Sequence, residues 1–291
     1  MSDIGFIGLG RMGAPMAARL VRAGHRVRGY DPVDAARAAL ADQGGVAVAS
    51  AAEAAAEVVV LMLPDSDVVE AVLFEAGLAD ALPAGALVID MSSSAPTRTQ
   101  DVARRLVDRG LVLVDAPVSG GVAGAVAGTL TIMLGGPDDA AARATAIVET
   151  LGAVRHVGPV GAGHAVKALN NLLSATHLWA TSEAILVGER FGLDPATMLE
   201  AINTSSGRSG STQKKWPDFV LPGTFDSGFS LALMLKDMRI ASDLAHQLGM
   251  PVELGDAAVR RWADARDGLP VDADHTEIVR WLRHAATAAS H

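Results

Sequence analysis

Ile-Gly-Phe-Ile-Gly-Leu-Gly-Arg-Met-Gly, residues 4–13, is a short apolar run followed by three glycines with the spacing G-x-G-x-x-G, and apolar residues at helical intervals follow it. The order strand, glycine turn, helix is typical of the first unit of a dinucleotide-binding fold. In that unit Gly8 permits the tight turn, Gly10 lets a pyrophosphate approach the backbone, and Gly13 lets the helix pack on the strand. The phosphates then bind the free N–H groups of the helix start. The predicted cofactor turn comprises Gly8, Leu9, Gly10, Arg11, Met12 and Gly13.

Residues 24–32 predict a turn and a second strand that ends at Asp31, about twenty residues after the glycines. A carboxylate at this place accepts hydrogen bonds from a free ribose hydroxyl and repels the extra phosphate of NADP. We therefore expect NAD as the cofactor, with NADP disfavoured. Two alternatives are open: Asp31 caps the next helix together with Pro32, or Arg28 and Arg37 weaken the discrimination.

The rest of the first half alternates between short apolar runs and segments with helical spacing. The predicted strands are residues 58–63, 87–90 and 111–115, with 129–134 and 154–157 as closing strands. The predicted helices are residues 50–57, 97–109 and a segment that follows Pro64 and ends at Leu73. Repeated strand–helix units predict the α/β class with a doubly wound parallel sheet of Rossmann type.

Ligands bind at the carboxyl ends of the strands in such sheets. Leu63 with Pro64, Ser92 with Ser93, and residues 116–121 each follow a predicted strand. We expect these segments to rim one crevice.

The second half has no clear strand pattern. Its predicted helices are residues 164–191, 195–203, 229–248, 252–267 and 275–286. The sequence thus predicts a Rossmann-type domain over residues 1–162 and an all-α domain over 163–291, which begins with a long interdomain helix. Residues 203–215 are polar and are interpreted either as a surface loop or as a substrate lid. A small polar tail, residues 288–291, is expected to be disordered.

Residues 161–171, Gly-Ala-Gly-His-Ala-Val-Lys-Ala-Leu-Asn-Asn, open the long helix of the second half. Lys167 and Asn171 stand at i and i+4, so they share a helix face. The glycine-rich start allows close approach of another backbone or a ligand, and we expect this helix to form one wall of an interdomain cleft. The alternative is a surface ammonium beside a solvated amide.

Composition narrows the class of function. The 291 residues carry a formal net charge of −9, and clustered Lys and Arg for a nucleic acid or an anionic membrane are not evident. Cysteine is absent and no apolar run reaches membrane-spanning length. The histidines lack ligand-like spacing, so no metal site is predicted, and His164 and His177 are interpreted as polar or cleft-lining residues. We expect a cytoplasmic protein.

Residues 115–121, Asp-Ala-Pro-Val-Ser-Gly-Gly, follow a strand and supply a hydroxyl and closely spaced N–H groups, which suit a carboxylate. Together with residues 4–17, 161–171 and 235–237 (Leu-Lys-Asp), this segment resembles the β-hydroxyacid dehydrogenase family. The four motifs occur in the family's order and span nearly the whole chain.

The resemblance implies NAD(P)-dependent oxidation of a small 3-hydroxy acid, or reduction of the matching aldehyde acid. It implies that Lys167 is the catalytic acid and base, that Asn171 orients it or the substrate, and that Lys236 contacts cofactor or substrate. By the same resemblance the substrate carboxylate binds Ser119, Gly120 and Gly121, and the cofactor is lined by Leu63, Pro64 and Ser93. The family more often has Thr in place of Ser93, and its NADP-preferring members tend to carry Asn-Arg in place of Tyr30-Asp31.

The lysine chemistry depends on its surroundings. Burial and the positive ring of NAD⁺ both disfavour an ammonium, whereas a bound carboxylate favours it. The alternative reactions are reduction of glyoxylate, succinic semialdehyde or tartronate semialdehyde, and imine reduction is less supported because relatives that do it often lack the lysine. A different class of function is an NAD-sensing scaffold without turnover. Candidate pocket residues are Trp179, Arg208 and Trp216, and the resemblance implies a homodimer or homotetramer.

Overall fold

In the computed structural model, which describes residues 1–288, nine strands form one sheet in the order β3-β2-β1-β4-β5-β6-β8-β7, with β9 beside β8. The strands are β1 (Asp3–Ile7), β2 (Arg26–Tyr30), β3 (Val46–Ala47), β4 (Val58–Leu61), β5 (Leu87–Asp90), β6 (Val112–Asp115), β7 (Val118–Ser119), β8 (Leu130–Gly135) and β9 (Gly152–Gly158). All pairs from β3 to β6 are parallel. The strand order reverses between β1 and β4, which is where ligands bind in doubly wound sheets.

Helices cover both faces of this sheet. They are α1 (Gly13–Arg22), α2 (Asp34–Asp42), α3 (Ser66–Glu70), α4 (Leu78–Ala81), α5 (Pro96–Val107), α6 (Gly121–Ala127) and α7 (Asp138–Val148). Successive residues of β1 point to opposite faces, so Phe6 packs in one apolar cluster with Met16 while Ile7 packs in a second with Leu73. The predicted α/β class with a Rossmann-type sheet is confirmed.

The regular elements of the remaining residues are helices. The helices are α8 (Ala162–Phe191), α9 (Pro195–Asn203), a π-helical segment (Ser211–Val220), α10 (Leu231–Gln247), α11 (Glu253–Asp267) and α12 (Ile278–Ala288). Their core contains Trp216, Trp262 and Ile278, all fully buried. Within the described residues this half has no strand, only an isolated bridge between Ser230 and Asp274. Residues 289–291, most of the tail predicted to be disordered, lie outside the described part.

The chain divides into two compact units inside α8, the first ending at Lys167 and the second beginning at Ala168. The boundary predicted from the sequence lies five residues earlier (167 minus 162). That earlier boundary stays a prediction, because α8 runs through both positions without a break.

Two local predictions were wrong. The predicted helix at residues 50–57 is only a 3₁₀ turn, Ala52–Ala54, because the backbone leaves the helical region at Ala55 (ψ 131°). The predicted closing strand at residues 129–134 is present as β8, which runs antiparallel to β6 and β7. The polar segment 203–215 is not loop throughout, since Ser211 and Thr212 begin the π-helical segment and are buried.

Candidate active site

The three glycines of the turn between β1 and α1 have different surroundings. Gly8 has a φ of 94°, and a Cβ added there would lie 2.3 Å from the carbonyl oxygen of Met62. A Cβ at Gly13 would lie 1.8 Å from the carbonyl oxygen of Gly8, whereas a Cβ at Gly10 would meet nothing within 4 Å. The turn is therefore crowded where helix and strand must touch, and open at Gly10, where a pyrophosphate would approach.

Helix α1 begins without a side-chain cap. Met12 precedes it and makes no capping hydrogen bond, and the first turn contains no acidic residue. The first N–H groups of a helix have no partners within the helix, and they carry the positive end of its dipole. This helix start, next to the open side of Gly10, fits the phosphates of a dinucleotide.

Asp31 is buried at the end of β2 and joins it to the glycine turn. Its Oδ2 accepts from the N–H of Leu9 at 2.8 Å and its Oδ1 accepts from the N–H of Val33 at 2.9 Å. Helix α2 begins at Asp34 after Val33, without a side-chain cap, so Asp31 is not the cap of that helix. A carboxylate accepts about four hydrogen bonds, so Asp31 keeps capacity for ribose hydroxyls.

The two arginines near Asp31 have different positions. Arg37 donates to the carbonyl oxygen of Asp31 at 2.5 Å and pairs with Asp34 at 2.6 Å. Arg28 pairs with Asp3 at 3.0 Å, at the opposite end of the first strand. Of the two, only Arg37 lies where it would influence the choice between NAD and NADP.

Ser92 ties the ends of two neighbouring strands together. Its Oγ accepts from the N–H of Leu63 at 3.0 Å, and its own N–H donates to Asp90 Oδ1 at 3.0 Å. Ser92 is fully buried, whereas Ser93 is partly exposed and Pro64 is exposed. The segments after β4 and β5 therefore form one edge, as predicted, with Ser92 as its internal support.

The predicted carboxylate cradle lies where β7 meets α6. Ser119 ends β7, opposite Thr131 of β8. Gly120 and Gly121 have φ values of 129° and 63°, a region that favours glycine. A Cβ at Gly121 would meet nothing within 4 Å, so the backbone is accessible at the start of α6.

A buried polar network, which the sequence did not reveal, fixes the start of α8. Asp115 Oδ1 accepts from the N–H of Gly161 at 2.7 Å, and its Oδ2 accepts from the N–H of His164 at 2.8 Å. The His164 ring lies 2.8 Å from Thr99 Oγ1 and 3.0 Å from the carbonyl oxygen of Ser92. Burial raises the pKa of Asp115 above its ordinary value, while His164 and the two N–H donors act in the opposite direction.

His164 is 1% exposed, so it is a core residue and not a cleft-lining one. Its neighbours come from β5, β6 and α5, which are far apart in sequence. The signal that points to it is a histidine inside a glycine-rich helix start, three residues before Lys167, and that pattern alone does not distinguish core from cleft. The network gives the helix that carries Lys167 a fixed first turn.

Lys167 and Asn171 lie four residues apart on α8 and are both buried, at 8% and 5% exposure. The alternative of a surface ammonium beside a solvated amide is therefore wrong. Asn171 Nδ2 donates to Asp237 Oδ2 at 2.6 Å, and its Oδ1 accepts from Asn170 at 3.2 Å. An amide has two N–H donors, so one N–H of Asn171 remains for a ligand.

Asp237 is a positioning residue that sequence reasoning quoted only as part of a motif. It is 2% exposed, and its second oxygen lies 3.4 Å from Lys236 Nζ. Because a carboxylate only accepts, it sets which end of the Asn171 amide carries the donors. The Leu-Lys-Asp motif of α10 thus connects Lys236 to Asn171 through one carboxylate.

Two of the three predicted pocket residues, Trp179 and Trp216, belong to the apolar core of the helical half. Trp216 is fully buried and donates from Nε1 to Ser182 Oγ at 3.2 Å, so it belongs to the core of the helical half. Trp179 packs on Trp281 with 5.7 Å between ring centroids. Arg208 is exposed. These surroundings give Trp216 and Trp179 packing roles.

The described residues also bear on the metal and membrane predictions. Across residues 1–288, no group of three or more His, Asp or Glu side chains is arranged to hold a metal ion. None of the helices in this range combines the length and apolar character needed to cross a membrane.

Two families match the chain, and together they run from β1 into α12. The family described as the NAD binding domain of 6-phosphogluconate dehydrogenase matches residues 3–171. The family described as NAD-binding of NADP-dependent 3-hydroxyisobutyrate dehydrogenase matches residues 161–282.

Individual proteins are similar over most of their length. A 2-(hydroxymethyl)glutarate dehydrogenase from Eubacterium barkeri is 39% identical over 255 residues, which cover 86% of this chain and 85% of the relative. An NAD-dependent L-serine dehydrogenase from Pseudomonas aeruginosa is 39% identical over 269 residues, covering 89% and 90%. The solved structure of Mycobacterium tuberculosis 3-hydroxyisobutyrate dehydrogenase with L-serine has a TM-score of 0.92 at 35% identity, covering 97% of this chain and 99% of that one.

Proposed function

Because this chain belongs to the β-hydroxyacid dehydrogenase family, whose members are NAD(P)-dependent dehydrogenases acting on CH–OH groups, we propose that it transfers hydride between NAD and a small 3-hydroxy acid such as 3-hydroxyisobutyrate. The observation that carries this proposal is the buried Lys167, four residues before an asparagine whose amide is held by Asp237. A scaffold that only senses NAD has no use for this arrangement.

The residues divide the chemistry among themselves. The nicotinamide ring, when bound, accepts or returns the hydride. Lys167 takes the proton of the substrate hydroxyl during oxidation and gives it back to the forming alkoxide during reduction. Asn171 donates its remaining N–H to orient the reacting oxygen, and Ser119 with the N–H groups of Gly120 and Gly121 holds the substrate carboxylate.

The cofactor-binding residues follow from the first unit. Residues 8–13 and the start of α1 are proposed to bind the pyrophosphate, and Asp31 the adenosine ribose. We further propose that Leu63, Pro64 and Ser93 line the cofactor and that Lys236 contacts cofactor or substrate.

We expect NAD to be preferred over NADP, and Asp31→Ser to narrow that preference roughly tenfold or more, because the variant removes a negative charge from the site of the extra phosphate. The measurement is kcat/KM with each cofactor. Asp31→Asn is the milder control, since its amide oxygen still accepts from the N–H of Leu9. If kcat/KM of the unmodified protein is equal for the two cofactors or higher with NADP, the assignment of Asp31 to the ribose is contradicted. Tighter NAD binding in Asp31→Ser also contradicts it.

Ser119→Ala is expected to raise KM for the hydroxy acid about tenfold with little change in kcat, because a hydrogen bond to the carboxylate acts equally in the ground and transition states. The KM for NAD, measured in the same assays, serves as the internal control. A drop in kcat with unchanged KM would place Ser119 at the reacting carbon and not at the carboxylate.

One experiment tests the proposed function as a whole. Initial rates are measured with NAD and with NADP for 3-hydroxyisobutyrate, L-serine and 2-(hydroxymethyl)glutarate, and in reverse for glyoxylate, succinic semialdehyde and tartronate semialdehyde. Oxidation of a 3-hydroxy acid supports the proposal, and faster reduction of one of the three aldehydes supports the alternative. No turnover with any substrate, by protein that still binds NAD, would leave only the scaffold.

We also propose that the enzyme is cytoplasmic and that it forms a homodimer or homotetramer. The long helix leaves large apolar side chains exposed, notably Leu173, Val187 and Phe191, and exposed apolar surface marks protein interfaces. Light scattering after size-exclusion chromatography measures the mass, and a monomer at micromolar concentration contradicts the oligomer.

A further inference from the structure

Lys215 is a second ammonium beside the helix that carries Lys167 and Asn171. It lies in the π-helical segment, and its Nζ is 2.7 Å from Ser174 Oγ and 3.4 Å from the carbonyl oxygen of Ser174. Among residues 1–288, no carboxylate oxygen lies within 4.0 Å of this ammonium, the distance of an ion pair. A partly buried cation without an anion favours binding one.

The nearest carboxylate already has its partners. The Asp274 oxygens accept from the hydroxyls of Ser227 and Thr276 and from three backbone N–H groups, those of Gly228, Phe229 and Thr276. Five donors compensate its charge locally. Asp274 therefore offsets the charge of Lys215 only in part and without direct contact.

The neighbouring histidine contributes no positive charge. Burial, and then the charge of Lys215, lower the pKa of His275 to about 4. Its Nδ1 lies 3.0 Å from the carbonyl oxygen of Phe229, which only accepts, so Nδ1 carries the proton. The buried Nε2 is then a lone-pair acceptor that has no partner among residues 1–288, so the side chain beside Lys215 is polar but uncharged.

The helix register places this cation near the reacting groups. Ser174 follows Asn171 by three residues, which puts the two side chains on one face with roughly 5–6 Å between their Cβ atoms. It follows Lys167 by seven residues, a rise of about 10 Å along the axis. A ligand held by Asn171 therefore reaches Lys215 with a chain of a few carbon atoms.

We propose that Lys215 and Ser174 form a subsite for an anionic group at the far end of the substrate, so that this enzyme acts on 3-hydroxy acids with a second carboxylate. The proposal rests on the dehydrogenase function proposed above. It assigns the substrate class through a residue outside the four family motifs. Lys215 binds the distal carboxylate, Ser174 orients Lys215, and a substrate with an apolar end leaves the ammonium without a counter-ion.

The test measures binding without turnover. Calorimetric titrations of the NADH-saturated protein compare succinate, glutarate and adipate with butanoate, pentanoate and hexanoate, which have the same numbers of carbon atoms and one carboxylate. We expect the best diacid to bind at least about tenfold more tightly than its monoacid, as hydrogen bonds to charged groups are worth that much. Equal affinity in all three pairs overturns the proposal.

Two variants assign the effect to Lys215. Lys215→Met should abolish the advantage of the diacid and leave the monoacid affinity unchanged, whereas Lys214→Met, which removes the exposed neighbouring ammonium, should keep the advantage. Lys215→Met should also melt no lower than the unmodified protein, because it removes a poorly compensated charge. If that variant does not fold, Ser174→Ala is the test variant, and it should weaken the binding of the diacid without changing the binding of the monoacid. A retained diacid advantage in these variants overturns the proposal.

The pH dependence gives an independent measurement. Burial lowers the pKa of Lys215 to about 8, with Asp274 acting in the opposite direction. The groups that face the ammonium are Ser174 from α8 and Asp274 and His275 from the segment before α12, and the pKa of His275 lies at about 4. Diacid affinity should therefore fall as pH rises above about 8, while monoacid affinity stays flat. A failure here leaves the dehydrogenase assignment intact, because that assignment is tested by turnover.

Discussion

Lys167→Ala is expected to lower kcat by about 10²–10⁴-fold while the affinity for NAD stays nearly unchanged, because general acid–base catalysis is worth that much. The lysine acts on the proton of the substrate, whereas the glycine turn and Asp31 hold the dinucleotide. The measurements are steady-state kinetics and a fluorescence titration with NADH on the same protein.

Asn171→Ala is the matched comparison on the same helix face. It should lower kcat less than Lys167→Ala does, since Asn171 orients the reacting groups without transferring the proton. If Lys167→Ala is folded and cofactor-bound but keeps more than about a tenth of the kcat, which is more than a proton-transfer group allows, the catalytic assignment is wrong.

Gly13→Ala and Gly10→Ala are expected to have opposite effects on stability and binding. At Gly13 the new Cβ would lie 1.8 Å from a backbone oxygen, so α1 must move, and such overpacking costs about 1–3 kcal/mol or more. At Gly10 the new Cβ meets no protein atom within 4 Å, so the fold should tolerate it. It occupies the space of the pyrophosphate, and NADH affinity should fall by at least about tenfold.

Thermal unfolding and NADH titration of both variants separate the two roles. Gly13→Ala should lower the melting temperature strongly, and Gly10→Ala should change it little. A Gly10→Ala protein that binds NADH as tightly as the unmodified protein would show that the pyrophosphate does not approach the turn there.

The elements that the sequence predicted well have strong local signals. The β1–turn–α1 unit, the apolar strands β4, β5 and β6, and the long helices follow from periodicity and from glycine and proline at their ends, and the family resemblance of the four motifs is confirmed by the comparisons. The strands β3 and β7 have two residues each, too few for any alternation to appear. The direction of β8 depends on its partners, which no local pattern encodes.

In the site, too, some features follow from local sequence patterns and others depend on the folded chain. The spacing of Lys167 and Asn171 predicts a shared face, because a helix has a fixed period. The network of Ser92, Asp115 and His164 joins the ends of two strands to a helix start, and only the folded sheet brings these segments together. Large aromatic residues occur both in pockets and in cores. The sequence alone does not show which of the two surrounds Trp216, because that depends on packing in the folded protein.

The anchored first turn of α8 has a consequence for how this enzyme can vary. Asp115 binds the N–H groups of Gly161 and His164, which fixes the rotational phase of the helix at its origin. Each residue turns the helix by about 100°, so one inserted or deleted residue after Gly161 would swing Lys167 to a different side. The number of residues between the anchor and the lysine is therefore fixed, and so is the identity of Gly163, where a Cβ would clash with the carbonyl oxygen of Met133.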